Sequence, residues 1–123
     1  MEAAVNIHFE TRPDHIYYIQ PTGRLDAVNV PALEAVFDAH LTAQQWRIVL
    51  DLTGVTYLSS SGLRVLLRAR KQAQAGGGDV VLCGLTPRVG DVFEIIGFTG
   101  LFQVFDQAAD ATASFTQKPA PPL

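Results

Sequence analysis

The stretch RIVLDLTGVTYLSSSGLRVLLRARK, residues 47 to 71, decides the fold because it joins a buried strand to an amphipathic helix. Residues 48 to 52 are apolar apart from Asp51, which predicts a strand covered on both faces. Leucines spaced for one helical face follow, and they predict a helix over residues 61 to 75. Three consecutive serines, Ser59 to Ser61, lie where this strand is expected to give way to the helix. The pattern is typical of a strand–helix unit in an α/β domain.

The sequence before this unit predicts a hairpin and then a helix. Apolar and polar residues alternate over residues 5 to 9, and a turn at residues 12 to 14 leads into an apolar run at residues 16 to 19. This alternation is typical of a half-exposed strand paired with its neighbour. Asn29 is then a candidate N-cap, and Pro31 lies just inside the predicted helix.

The sequence after the central helix continues the alternation of strands and helices. Gly76 to Gly78 end that helix, since glycine readily adopts the left-handed conformation at a helix C-terminus. Residues 80 to 83 predict a buried strand, and Thr86 with Pro87 predicts the start of a helix that Gly97 closes. A short strand near residues 102 to 105 and a helix over residues 107 to 115 complete an α/β domain. We therefore expect a central mixed sheet of four to five strands with four helices.

Composition restricts the class of protein. A chain of 123 residues suits one domain, here residues 1 to 116, and the proline-rich residues 117 to 123 are expected to form a flexible tail. A formal net charge of −3 argues against nucleic acid as a partner. The N-terminus lacks a signal-peptide pattern, and no apolar segment reaches the ~18 residues of a membrane span. We therefore expect a cytoplasmic protein without direct membrane insertion.

The serine triplet permits three uses. Serine is a favoured helix N-cap, and a helix N-terminus also tolerates a phosphorylated serine. The third use is catalytic, but the Gly-x-Ser-x-Gly elbow of α/β-hydrolases is incomplete, because Leu58 replaces its first glycine when Ser60 and Gly62 are aligned to it. The histidine of that triad should also follow the serine, whereas every histidine here precedes it: His8, His15 and His40. We expect a protein that is not an enzyme.

No metal or cofactor site is predicted. The histidines and the lone Cys83, which lies in an apolar run, lack the spacing of metal ligands. The glycine run at residues 76 to 78 follows a helix and precedes a strand, which is the reverse of a phosphate-binding loop.

A basic stripe is predicted on the helix that the serines begin. Arg64, Arg68 and Lys71 lie at positions i, i+4 and i+7, so they share one exposed face. Such a stripe is either a solvated surface or a docking surface for an acidic partner.

Three segments together resemble a known family. They are GRLDA at residues 23 to 27, DLTGVTYLSSSGLRVLL at residues 51 to 67 and GGDVVLCGLTPRVGDVFEIIGF at residues 77 to 98. Over about residues 4 to 115 the chain resembles the STAS domain of bacterial anti-sigma factor antagonists. The resemblance implies a single STAS-like domain with a partner-switching role. The unphosphorylated antagonist binds an anti-sigma serine kinase and frees the sigma factor, and phosphorylation by that kinase reverses this binding.

The resemblance also assigns roles to residues. Ser60 matches the phosphate acceptor two positions before Gly62, which leaves Ser61 or a neighbour as the helix cap. Ser59 stands where many family members carry aspartate. Asp26 matches the acidic residue of a Gly-x-Leu-Asp segment near the phosphorylation loop, although spacing alone favours a loop aspartate that caps a turn.

The implied partners are an anti-sigma serine kinase and a PP2C-type phosphatase. The residues expected to contact a partner are Asp26, Ser59, Ser60, Ser61, Gly62, Leu63 and Arg64. The alternative function is a STAS scaffold subunit that is not phosphorylated, within a signalling assembly or an ABC transporter.

Overall fold

A computed structural model of the chain describes residues 6 to 95, 97 and 100 to 116. These residues form a six-stranded sheet with four α-helices. The strands are β1 Asn6–Arg12, β2 Ile16–Leu25, β3 Arg47–Asp51, β4 Val55–Leu58, β5 Asp79–Cys83 and β6 Val104–Phe105. The helices are α1 Val30–Thr42, α2 Ser60–Ala75, α3 Pro87–Ile95 and α4 Ala108–Thr116.

The sheet is mixed, as the sequence predicts. β1 pairs antiparallel with β2, and β2, β3, β5 and β6 follow in parallel order. β4 pairs in parallel with the end of β2, beyond an irregularity between Gly23 and Arg24. Because parallel strands point the same way, the carboxyl ends of β2, β3, β4 and β5 lie at one edge of the sheet.

Helices cover both faces of the sheet. On one face, α1, α2 and α3 pack against alternate residues of the strands, among them Ile19, Leu50 and Leu82. On the other face, Ala111 of α4 packs against the strand residues that point away from the first three helices, such as Tyr18. Successive strand residues point to opposite faces, so the continuous apolar runs of β3 and β5 fill two cores at once.

The α/β class and the four helices are confirmed, but the predicted junction between strand and helix is wrong. The chain turns after β3 and forms β4 before it reaches the serines. β4 has only four residues, of which Val55 and Leu58 are buried while Thr56 is exposed, so it has too little alternation to be recognised. The sheet therefore has one strand more than expected.

The helix ends match their signals with one exception. Gly77 has a φ of +94°, and the amides of Gly77 and Gly78 donate to Gln74 and Ala73, which is the Schellman pattern at the end of α2. The Thr86 hydroxyl accepts a hydrogen bond from the Val89 amide at 3.4 Å and caps α3.

The exception is Asn29, which occupies the N-cap position of α1 but makes no capping bond with its side chain. Its amide group donates instead to the carbonyl of Arg24 at 3.0 Å. The predicted tail at residues 117 to 123 and the start of the first strand at Val5 lie outside the described residues.

Candidate functional site

The carboxyl ends of β2 and β4 bring the GRLDA segment beside the serine triplet. Leu25 and Leu58 are partners in the parallel register, and the Ser59 amide donates to the Leu25 carbonyl at 2.9 Å. Asp26 and Ser59 are the next residues along each strand, and neighbouring strands are separated by ~4.8 Å. Two segments that are distant in sequence therefore meet at what we call the serine edge, residues 24 to 26 and 57 to 61.

The three serines occupy different environments. Ser59 has extended backbone angles and is the N-cap of α2, where its hydroxyl accepts a hydrogen bond from the Gly62 amide at 3.2 Å. The cap is therefore Ser59, and Ser61 is a half-buried residue of the first turn. Ser60 is the first residue of α2 and is exposed. Of the triplet, only Ser60 is exposed.

Gly62 and Leu63 belong to the core although the sequence places them in the contact set. A Cβ on Gly62 would lie 2.6 Å from Leu58 Cδ1 and 3.1 Å from the Leu25 carbonyl oxygen. Leu63 is 4% exposed and packs in the cluster beneath the sheet. The absence of a side chain on Gly62 thus lets α2 approach the end of β2. Gly62 and Leu63 pack beneath the serine triplet and are not part of its accessible surface.

Asp26 both caps a turn and carries charge at the serine edge. Its Oδ1 accepts hydrogen bonds from the Val28 and Asn29 amides, each at 3.1 Å. The hydrogen bond from the Asn29 amide is the largest cause that holds the pKa of Asp26 below its usual value, and Arg24 lowers this pKa further. The carboxylate is therefore ionised at neutral pH.

Arg24 accompanies Asp26 at this edge. Its Nε lies 3.4 Å from Asp26 Oδ2, and its guanidinium stacks 4.2 Å from the centre of the Tyr57 ring. The partners of Arg24 are therefore a carboxylate and an aromatic face, which suits a planar cation.

The predicted basic stripe is exposed at all three positions. Arg68 forms an ion pair with Glu34 of α1. In the described part of the chain, Arg64 and Lys71 have no acidic partner. α2 contains four cationic residues and no acidic one, whereas the whole chain has a formal net charge of −3.

A buried carboxylate supports the turn that leads to the serines. Asp51, at the end of β3, accepts hydrogen bonds from the Thr53 amide at 2.9 Å, from Gln20 at 3.3 Å and from the Tyr18 hydroxyl. Burial alone would raise the pKa of Asp51, but hydrogen bonds from Thr53, Tyr18 and Gln20 more than offset this and hold it below its usual value. The role of Asp51 in organising this turn was not predicted from the sequence. A single acidic residue inside an apolar strand could have indicated it, because a buried carboxylate needs hydrogen-bond donors.

The groups around Asp51 are neutral at physiological pH. Burial, together with the hydrogen bond to Asp51, raises the pKa of Tyr18. Burial also raises the pKa of the Cys83 thiol to about 12, so this cysteine behaves as a small hydrophobic residue, as predicted.

The described residues contain no group of three or more histidine, cysteine and acidic side chains arranged to hold a metal ion. The hydrogen-bond partner of His8 is Glu10 and that of His40 is Gln45. None of the described helices is both long and apolar enough to span a membrane.

Comparison with known proteins identifies related sequences. The profile of the STAS domain matches residues 6 to 111. BtrV of Bordetella bronchiseptica, named as a candidate anti-sigma factor antagonist, is 42% identical over 93 residues, which cover 76% of this chain and 80% of BtrV. An anti-sigma-B factor antagonist of Staphylococcus aureus is 30% identical over 101 residues, covering 81% of this chain and 94% of that protein.

Solved structures share the fold. A protein of Thermotoga maritima described as a candidate anti-sigma factor antagonist superimposes with a TM-score of 0.84 at 20% identity, covering 90% of this chain and 95% of the other chain. The phosphorylated form of the Bacillus cell fate determinant SpoIIAA superimposes with a TM-score of 0.72 at 19% identity, and the match covers 89% of this chain and 99% of the SpoIIAA chain.

Proposed function

The chain belongs to the STAS domain family, and we propose that it is an anti-sigma factor antagonist whose serine edge binds an anti-sigma serine kinase. Relatives at 42% and 30% identity carry that functional name, which supports a regulatory binding protein and not an enzyme. The proposed site of action is the cytoplasm, and phosphorylation of Ser60 is the proposed switch.

The observation that carries this proposal is the difference between adjacent serines. The Ser59 hydroxyl is engaged in capping α2, whereas Ser60 is exposed at the first position of the helix. A kinase can therefore reach Ser60 without breaking the cap. A phosphate at this position also lies at the positive end of the helix dipole, so the modification does not require the helix to unfold.

The proposed mechanism is electrostatic. Phosphorylation adds about −1.5 to −2 charges at pH 7, close to the ionised Asp26 in the register of β2 and β4. A partner that packs over this edge would have to bury the new charge or supply cations for it. Burying a charge without a partner costs several kcal/mol, so the phosphorylated edge binds weakly. A PP2C-type phosphatase would restore binding.

Asp26 and Arg64 are proposed as the charged contacts that flank Ser60, together with the accessible parts of Ser59 and Ser61. Asp26 is fixed by two backbone amides, so it presents its charge from a rigid turn. Arg64 begins the basic stripe and offers a cation to an acidic surface of the kinase.

The proposal is tested by incubating the chain with its cognate anti-sigma kinase and ATP, followed by mass spectrometric mapping of the phosphate. We expect one phosphate, located on Ser60, and none on the Ser60→Ala variant. Phosphate found only on Ser59 or Ser61 would refute the site assignment. A native protein that carries no phosphate on any serine and co-purifies with transporter subunits would favour a scaffold function.

A further inference from the structure

Ser60 and Arg64 are neighbours on the exposed surface of α2. Ser60 is the first helical residue, Arg64 lies four positions later, and both are exposed. Residues at positions i and i+4 of a helix have Cβ atoms ~5 to 6 Å apart. Long side chains on a helix lean towards its N-terminus, so Arg64 extends towards the turn that contains Ser60.

Three other cations of the serine edge and α2 already have partners. Arg24 pairs with Asp26 and stacks on Tyr57, and Arg68 pairs with Glu34. Arg70, further along α2, donates to Asp79 at 3.1 Å. Among the described residues, Arg64 lacks an acidic partner and is also one helical turn from Ser60.

We propose that Arg64 binds the phosphate of phosphorylated Ser60 within the same chain and is thereby withdrawn from the basic stripe. This inference rests on the proposed function, since it concerns the phosphorylated form of Ser60. A guanidinium donates two parallel hydrogen bonds to a phosphate, and an anion that precedes the cation by four residues has the favourable order in a helix. α2 contains no carboxylate that could compete for Arg64.

This pairing gives phosphorylation a second effect on partner binding. The phosphate adds negative charge at the serine edge, and it also occupies the cation that begins the stripe of Arg64, Arg68 and Lys71. Because Arg68 is paired with Glu34, only Lys71 of the stripe would then lack an anionic neighbour in the described part of the chain. An acidic kinase surface would then meet one unpaired cation of the stripe instead of two.

The test installs phosphoserine at position 60 by genetic code expansion, so that it does not depend on any kinase. The second pKa of the phosphate is then measured by phosphorus NMR titration at low salt. We expect Arg64→Gln to raise this pKa by about 0.15 to 0.4 units relative to wild type, because a nearby cation favours the dianion. The difference should shrink at high salt, as expected for an exposed pair.

The control is Arg47→Gln. Arg47 is an exposed cation at the start of β3, level with Ile16 in the register. The ten residues of β2 separate this end of the sheet from the serine edge by roughly 30 Å. This variant should leave the pKa of the phosphate unchanged, and circular dichroism should show the same helix content in both variants.

The same phosphate pKa in wild type and Arg64→Gln would overturn the inference, as would a rise that follows Arg24→Gln instead. The two proposals fail in different ways. If no kinase modifies Ser60, the proposed function fails while the titration still reports on the pair. If the kinase modifies Ser60 and the titration shows no difference, only the role of Arg64 is refuted.

Discussion

At the scale of single residues, Ser59 and Ser60 show how adjacent identical side chains come to lie in different environments. Ser59 retains extended backbone angles, which allow its hydroxyl to turn back onto the Gly62 amide. Ser60 has entered the helix, and its side chain points outward. Ser59 therefore caps α2 while the hydroxyl of Ser60 stays accessible.

This difference predicts unequal effects on stability. Ser59→Ala should lower the free energy of unfolding by about 1 kcal/mol, because it leaves a first-turn amide of α2 without its partner. The matched variant Ser60→Ala should change it by less than about 0.5 kcal/mol, as an exposed substitution. Urea denaturation of the three proteins measures both values, and equal losses for the two variants would contradict the assignment of the cap.

The sequence predicted the triplet as a site but could not assign the cap. Any of the three serines is chemically suited to capping, and the choice depends on where α2 begins. That position depends on the pairing of Leu25 with Leu58, which places Ser59 against the end of β2. The burial of Gly62 could not be predicted from the sequence for the same reason, since Leu58 and the Leu25 carbonyl approach Gly62 only in the folded chain.

At the scale of elements, α2 was predicted to within one residue and β4 was missed. Leucine spacing and the terminal glycines define α2 locally, and its Schellman ending is formed by residues 73 to 78 alone. β4 depends on a partner, because its short pairing is made with the last residues of β2. Local pattern therefore sufficed for the helix, whereas the strand required knowledge of a distant segment.

The end of β3 provides a prediction about pH. Asp51→Asn should lower the free energy of unfolding by about 1 to 3 kcal/mol at pH 7, because the buried acceptor of Thr53, Tyr18 and Gln20 is altered. The folded pKa of Asp51 is lowered, so its stabilising effect is present above the unfolded value of ~3.9 and is lost as the pH falls through the folded value.

Denaturation measured from pH 7 to below pH 4 tests this prediction. The advantage of wild type over Asp51→Asn should be constant at neutral pH and should shrink below about pH 4. The control is Asp38→Asn on the exposed face of α1, which should change stability by less than about 0.5 kcal/mol. An advantage over Asp51→Asn that does not depend on pH would show that the charge of Asp51 contributes nothing.

At the scale of the whole molecule, the parallel sheet assembles the serine edge. The α/β class and the four helices followed from the alternation of strand and helix patterns. The edge itself depends on the register that pairs Leu25 with Leu58, because this pairing brings Asp26 and Ser59 to the ends of neighbouring strands. Although the chain has an overall negative charge, the surface near the serines carries both acidic and basic side chains, so one phosphate would change the local net charge.

The central claim is that phosphorylation of Ser60 weakens binding to the kinase without unfolding the domain. Isothermal titration calorimetry of the kinase against unmodified chain and against chain with phosphoserine at position 60 tests it directly. We predict a dissociation constant about 100 to 1,000 times larger for the phosphorylated chain, which corresponds to ~3 to 4 kcal/mol. Ser60→Ala should bind like the unmodified chain, and Ser60→Asp more weakly. Equal affinities for all four proteins would contradict the account.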